Sequence, residues 1–159
     1  MKKLILVLVG MFVVSLTAHA QWSNTGTLTI NGTMPAIIQI NITDNSTALS
    51  LDSAATGVVV GSISERSNSG TGYVVTVESA NLGELVGGTY GETFAYSLSI
   101  GGANIDLTSP ATVSDSTSRT SATGITKTID VTHGVGEFAG NMLAADTYSD
   151  VLTFTIAPK

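Results

Sequence analysis

The chain has 159 residues, a formal net charge of −6 and no cysteine. That length suits one domain with a real core, and so few cations exclude a nucleic-acid surface and an anionic-membrane partner. Without cysteine there is no disulfide, thiol nucleophile or thiolate metal site, so stability has to come from burial and backbone pairing.

Lys2 and Lys3 precede an apolar run over residues 4–14, and Ala18-His19-Ala20 supplies a small-x-small cleavage site. This pattern predicts a secretory signal peptide over residues 1–20; the run is short for a membrane span of about 20 residues. No second long apolar run follows, which predicts a soluble exported product. Arg66, Arg119, Lys127 and Lys159 are the cations beyond it.

Residues 21–34 read as an N-terminal extension. Within it, Leu28, Ile30, Gly32 and Met34 share one parity, and Thr27, Thr29, Asn31 and Thr33 the other. A period of two predicts a strand with one apolar face, and Pro35 interrupts it as proline does at a strand boundary. Trp22 reads either as a tail residue or as an extra knob at the start of that strand. The strand fills either its own core or that of a neighbouring copy.

Residues 35–159 alternate between short β-type runs and turn signals, the pattern of an all-β sandwich with roughly seven strands. Strands are expected over residues 36–42, 73–79, 93–100, 125–132 and 148–157. A short one is expected at 49–51, and a Val-rich one, buried on both faces or at a crossing, at 57–63. Asp44-Asn45-Ser46 predicts a turn. Gly101-Gly102 predicts a two-residue hairpin returning through residues 104–107. Residues 65–72 read as a polar loop, and 109–124 as an exposed loop with a short strand near Val113. Residues 133–147 read as a loop whose Phe138, Met142 and Leu143 form satellite core. Phe94, Tyr96, Leu98, Ile129, Val131, Leu152, Phe154 and Ile156 are expected to point inward.

Candidate chemistry is sparse. His133 is the one histidine after His19; it reads as a loop or strand-end residue, because catalysis needs a positioned partner. No nucleophile elbow, phosphate loop or HExxH is present. Asp44 with Asp52, and Asp146 with Asp150, lack an ordered calcium-ligand spacing and read as solvated turn carboxylates. These patterns predict no enzyme, no catalytic residue, no metal and no cofactor.

Two stretches carry a family resemblance. Residues 144–156, AADTYSDVLTFTI, resemble the closing strand of chaperone–usher pilins, which commonly ends in a small-Gly-x-Tyr-x-Asp-x alternating pattern; Asp146 stands where glycine is common. Residues 27–42, an alternating strand, a proline and an apolar strand, resemble the donor strand and first strand of such pilins. The lack of cysteine looks more like the colonisation-factor, alternate-chaperone branch. Residues 66–77, RSNSGTGYVVTV, also look like spore-coat-U-type secreted β domains. The end Ala157-Pro158-Lys159 lacks the aromatic found near the C-terminus of many pilins.

The resemblance implies an immunoglobulin-like sandwich that is incomplete and is completed by a donated N-terminal strand. Leu28, Ile30, Gly32 and Met34 would be the donor positions, and Tyr148, Leu152, Phe154 and Ile156 would edge the acceptor groove. It further implies a surface fimbrial subunit exported through the periplasm, with a periplasmic chaperone, an outer-membrane usher and other subunits as partners, and a host receptor as a further one. The alternative is a secreted or surface β-sandwich binding module, adhesin-like, that does not polymerise.

Overall fold

The computed structural model describes residues 24–159; the expected signal peptide and Trp22 lie outside the described residues. Contacts divide the chain between Thr33 and Met34. In the first unit, residues 24–33 belong to no strand and their side chains are exposed.

The second unit begins at Met34 and, among the described residues, is all β. Its first sheet runs β1 (Ile38–Asp44), β2 (Ala55–Ser67), β8 (Ile125–His133), β5 (Thr93–Ile100), β4 (Glu84–Gly87) and β11 (Tyr148–Ser149), with β6 (Ala103–Ile105) also paired to β5. The second sheet is β12 (Leu152–Pro158), β3 (Tyr73–Ser79) and β7 (Ala111–Ser116). A small hairpin joins β9 (Glu137–Phe138) to β10 (Asn141–Met142). Every ladder is antiparallel.

The core lies between the sheets. Ile63, Leu98, Ile100, Ile129 and Val131 of the first meet Tyr73, Val75 and Val77 of the second, with Leu107 closing one side. Strand β3 shows why these segments fold as they do. Tyr73, Val75, Val77 and Ser79 are buried and the residues between them are not, so β-branched residues sit on a pleat with one dry face. Gly101 and Gly102 both have positive φ, 58° and 83°, the geometry that two-residue hairpins need and that glycine adopts without strain. They close β5 onto β6 as the sequence predicts. The Asp44 carboxylate accepts the Ser46 amide at 2.7 Å, forming the expected turn.

Several expectations are corrected. Residues 49–51 form no strand. Strand β2 is not buried on both faces: it alternates, and Val59 is exposed. It also runs on through Ser67, so Glu65 is a buried strand residue and not part of a polar loop. The period continues across these polar residues because distant partners satisfy them: Tyr73 and Ser114 of the facing sheet for Glu65, and Thr120 of a loop for Ser67. Phe138 and Met142 are exposed on the small hairpin and add nothing to the core. Of the residues expected inward, Phe94, Leu98, Ile129 and Val131 are buried; Tyr96, Leu152, Phe154 and Ile156 are half-buried against the same core.

Candidate functional site

The closing segment, expected as one strand, is two. Residues Tyr148–Ser149 pair with β4 in the first sheet, and Leu152–Pro158 pair with β3 in the second. Asp150 stands at the crossing. Its carboxylate accepts the Ser79 hydroxyl and the Tyr96 hydroxyl, each at 2.6 Å, the Asn81 amide at 3.0 Å and the Val151 amide at 2.7 Å. Buried Ser79 in turn accepts the Gly83 amide at 2.8 Å. Burial, and then the adjoining Asp150 carboxylate, raise the Tyr96 phenol above the ordinary tyrosine range, so it stays a neutral donor. This network fixes where β12 starts.

Among the described residues, strand β12 pairs with β3 on one side only, and β1 pairs with β2 on one side only. The two face each other across the sandwich with no ladder between them. The two antiparallel sheets, β1-β2-β8-β5-β4-β11 and β12-β3-β7, have the arrangement of a β-sandwich. The side chains along the unpaired edges carry the same message. Leu152, Phe154 and Ile156 share one face of β12 and are half-buried against the core, as is Ile40 of β1, whereas the ladder neighbours Val75 and Val77 are fully buried. Apolar side chains beside an unpaired backbone edge form a template for one more strand.

A cavity of about 750 Å3 opens between residues 47–52 and 142–150. Leu49, Leu51, Leu85 and Leu143 give its apolar part and Asp146 a polar wall. Asp146 is engaged by the protein itself. Its carboxylate accepts the Thr89 amide at 2.6 Å, the Tyr90 amide at 3.2 Å and the Thr147 amide at 2.8 Å. These bonds, the Thr89 amide foremost, hold its pKa below the usual carboxylate value. Among the described residues no group of three or more His, Cys, Asp or Glu stands together as a metal site.

The residues singled out in the sequence are placed as follows. Leu152, Phe154 and Ile156 lie together on the open edge. Tyr148 does not join them: it sits on the other sheet, and its hydroxyl donates to Glu92 at 2.7 Å. Burial, followed by the Glu92 carboxylate, pushes that phenol up to about 12. Leu28 and Ile30 are each 86% exposed and Met34 73%. A Cβ built at Gly32 meets nothing within 4 Å.

His133 is a strand-end residue, one of the two expected readings, and it is buried. It ends β8 at 5% exposure, packs edge-on against Phe94 at 5.9 Å, and its Nδ1 meets the Gly134 carbonyl at 2.9 Å. Sequence reading also missed Glu65. It is 1% exposed and accepts Tyr73 Oη at 3.1 Å and Ser114 Oγ at 2.5 Å across the sandwich. Its place in the alternation Ile63-Glu65-Ser67 was the available signal. No family model matches the chain, and no curated protein matches it.

Proposed function

We propose that this chain is the structural subunit of a surface fibre, assembled by strand donation from one copy to the next. One observation carries the reading: β12 and β1 present unpaired facing edges over a half-buried apolar face. An apolar-alternating segment that could fill this place as a strand lies at residues 26–34, and its Leu28, Ile30 and Met34 are exposed. A strand laid there would gain backbone pairing on both sides, and each apolar side chain it buried would contribute roughly 1.5–3 kcal/mol. The resemblance of both chain ends to chaperone–usher pilins supports the same reading. With it come export through the periplasm, a chaperone that covers the groove before assembly, an outer-membrane usher and display at the cell surface. No catalytic constellation is needed for such a role.

The test is assembly itself. The chain, refolded at micromolar concentration, is to form chains of noncovalent polymer seen by electron microscopy. A peptide of residues 26–34 in excess is to cap them as short species. A chain that stays monomeric and takes up no peptide would refute strand donation and leave the non-polymerising binding module as the better reading.

A further inference from the structure

The strand-donation reading leaves open why residues 26–34 do not fill the groove of their own chain. The distance is short. Strand β1 begins only three residues after Pro35, at Ile38, and three residues are a common hairpin loop. A strand folded back on such a loop would run antiparallel to β1 along its free edge. Tethered so closely, it would compete at an effective concentration on the order of millimolar, far above that of a second copy. Something has to oppose the reversal.

The residues that would have to turn are held straight by one side chain. Asn68 follows the last residue of β2. Its amide donates to the Ile37 carbonyl at 3.0 Å, which continues the ladder one step past the Ile38–Ser67 pair. Its side-chain Oδ1 then accepts the Ile37 amide at 2.7 Å, and its Nδ2 donates to the Pro35 carbonyl at 2.7 Å. The side-chain amide thus does what two further backbone groups of β2 would do, and keeps residues 35–37 extended in line with β1. Pro35 has no N–H to satisfy, so this bracket leaves no donor unpaired there.

Asn68 is itself firmly placed. Neighbouring Ser67 is buried and exchanges bonds with Thr120, whose amide donates to the Ser67 carbonyl at 2.8 Å and whose Oγ1 accepts the Ser67 amide at 3.1 Å. The same loop holds the end of β12: Thr71 Oγ1 donates to the Lys159 carbonyl at 2.6 Å, and the Lys159 amide donates to the Gly72 carbonyl at 3.3 Å. So β1 leaves from this loop and β12 arrives at it, and the two groove edges run in opposite directions. A strand folded back from Pro35 would have to run parallel to β12, whereas one from another copy is free to run antiparallel to it. Antiparallel pairing is slightly the more stable per residue.

We propose that Asn68 is a latch: it resists reversal at residues 35–37, keeps the N-terminal strand out of the chain's own groove, and so commits that strand to another copy. The proposal rests on the strand-donation reading, and the test separates the two. Wild type, Asn68→Ala and Asn68→Asp are refolded from denaturant at micromolar concentration. Asn68→Asp keeps the acceptor for Ile37 and loses the donor to Pro35. Size-exclusion chromatography with light scattering reads the polymer fraction, and a labelled peptide of residues 26–34 reads whether monomers have an empty groove. Both variants are expected to give about tenfold less polymer and monomers that refuse the peptide. A third chain keeps Asn68 and carries Gly-Ser-Gly-Ser between Met34 and Pro35, which supplies a turn outside the latch; it is expected to show the same self-filled monomers even if Asn68 variants misfold. Variants that polymerise like wild type, or monomers that still take up peptide, would overturn the latch alone. A wild type that never polymerises would remove strand donation and the latch with it.

Discussion

Glu65 and Lys127 stand 3.2 Å apart on adjacent strands β2 and β8, with the glutamate fully buried and the lysine partly so. Glu65 also accepts hydroxyls from Tyr73 and Ser114 of the opposite sheet, and Lys127 Nζ meets Ser114 Oγ and donates to the Val113 carbonyl at 3.2 Å. The ion pair lies within one sheet, and its hydrogen bonds to Tyr73, Ser114 and Val113 tie that sheet to the other. Removing one partner of a buried pair leaves a charge without compensation, which typically costs about 3–5 kcal/mol. Because Lys127 keeps some contact with water, Lys127→Met is expected to lose about 2–4 kcal/mol in urea unfolding. Glu65→Leu combined with Lys127→Met is expected to recover part of that loss. An unchanged urea midpoint in Lys127→Met would show that the pair does not brace the sandwich.

Tyr73 gives the protein an alkaline limit. Burial, then the bond to Glu65 and its charge, push this phenol from 10 up to about 12. The sign follows from linkage. Below pH 10 the tyrosine is protonated in both states and its contribution is intact. Between pH 10 and 12 the unfolded chain ionises and the folded one does not, so stability falls as pH rises, by at most about 1.4 kcal/mol per unit from this group. Tyr73→Phe is expected to flatten that fall in denaturation curves taken from pH 9 to 12. An equally steep fall in the variant would assign it elsewhere.

Asp150→Asn tests the sheet crossing. The two hydroxyls, of Ser79 and Tyr96, meet one carboxylate oxygen and the Asn81 and Val151 amides the other. Asparagine has a single acceptor oxygen, so it can serve one pair and not the other, and an unsatisfied donor costs about 1–3 kcal/mol. A loss of that size is expected, with early hydrogen exchange at the amides of Asn81 and Val151. If those amides stay protected, the crossing is held by something other than Asp150.

His133→Ala is expected to destabilise by about 1–3 kcal/mol, since a buried ring in contact with Phe94 leaves a cavity. His133→Leu is expected to cost less, because it refills the space and removes Nε2, which has no partner among the described residues. Thermal unfolding of both variants decides it; equal losses would mean that packing volume is not what His133 provides.

Ile30→Asp is expected to abolish polymer while leaving the unfolding transition within about 0.5 kcal/mol of wild type, as for an exposed site. In the donated strand the same carboxylate would be buried without a partner. Polymer of normal length from Ile30→Asp, seen in light scattering, would exclude residue 30 from the interface.

The sequence read alone determined the elements whose buried face is a simple alternation. Strands β3 and β5 span the residues that the period marks, 73–79 and 93–100, and the paired glycines at 101 and 102 set the hairpin, because a positive φ at both positions is a local requirement. Local chemistry likewise set the turn at Asp44. The half-apolar face of β12 was legible in the same way, whereas residues 26–34, which alternate in the sequence, form no strand and expose both parities.

Tertiary structure decided what depends on a partner distant in the chain. The burial of Glu65, Ser67 and His133 was not legible because burial of a polar group is favourable only when another element satisfies or covers it, and those elements lie 49 residues away at Ser114, 53 at Thr120, and at Phe94 across the sheet. The break at Asp150 is invisible in the alternation of residues 148–156, since the parity continues through it; only the hydroxyls of Ser79 and Tyr96 turn the chain from one sheet to the other. The open edge between β1 and β12 is of the same kind. Each strand carries a local period, but which of its two backbone edges is left unpaired is fixed by which neighbours the whole chain brings to it.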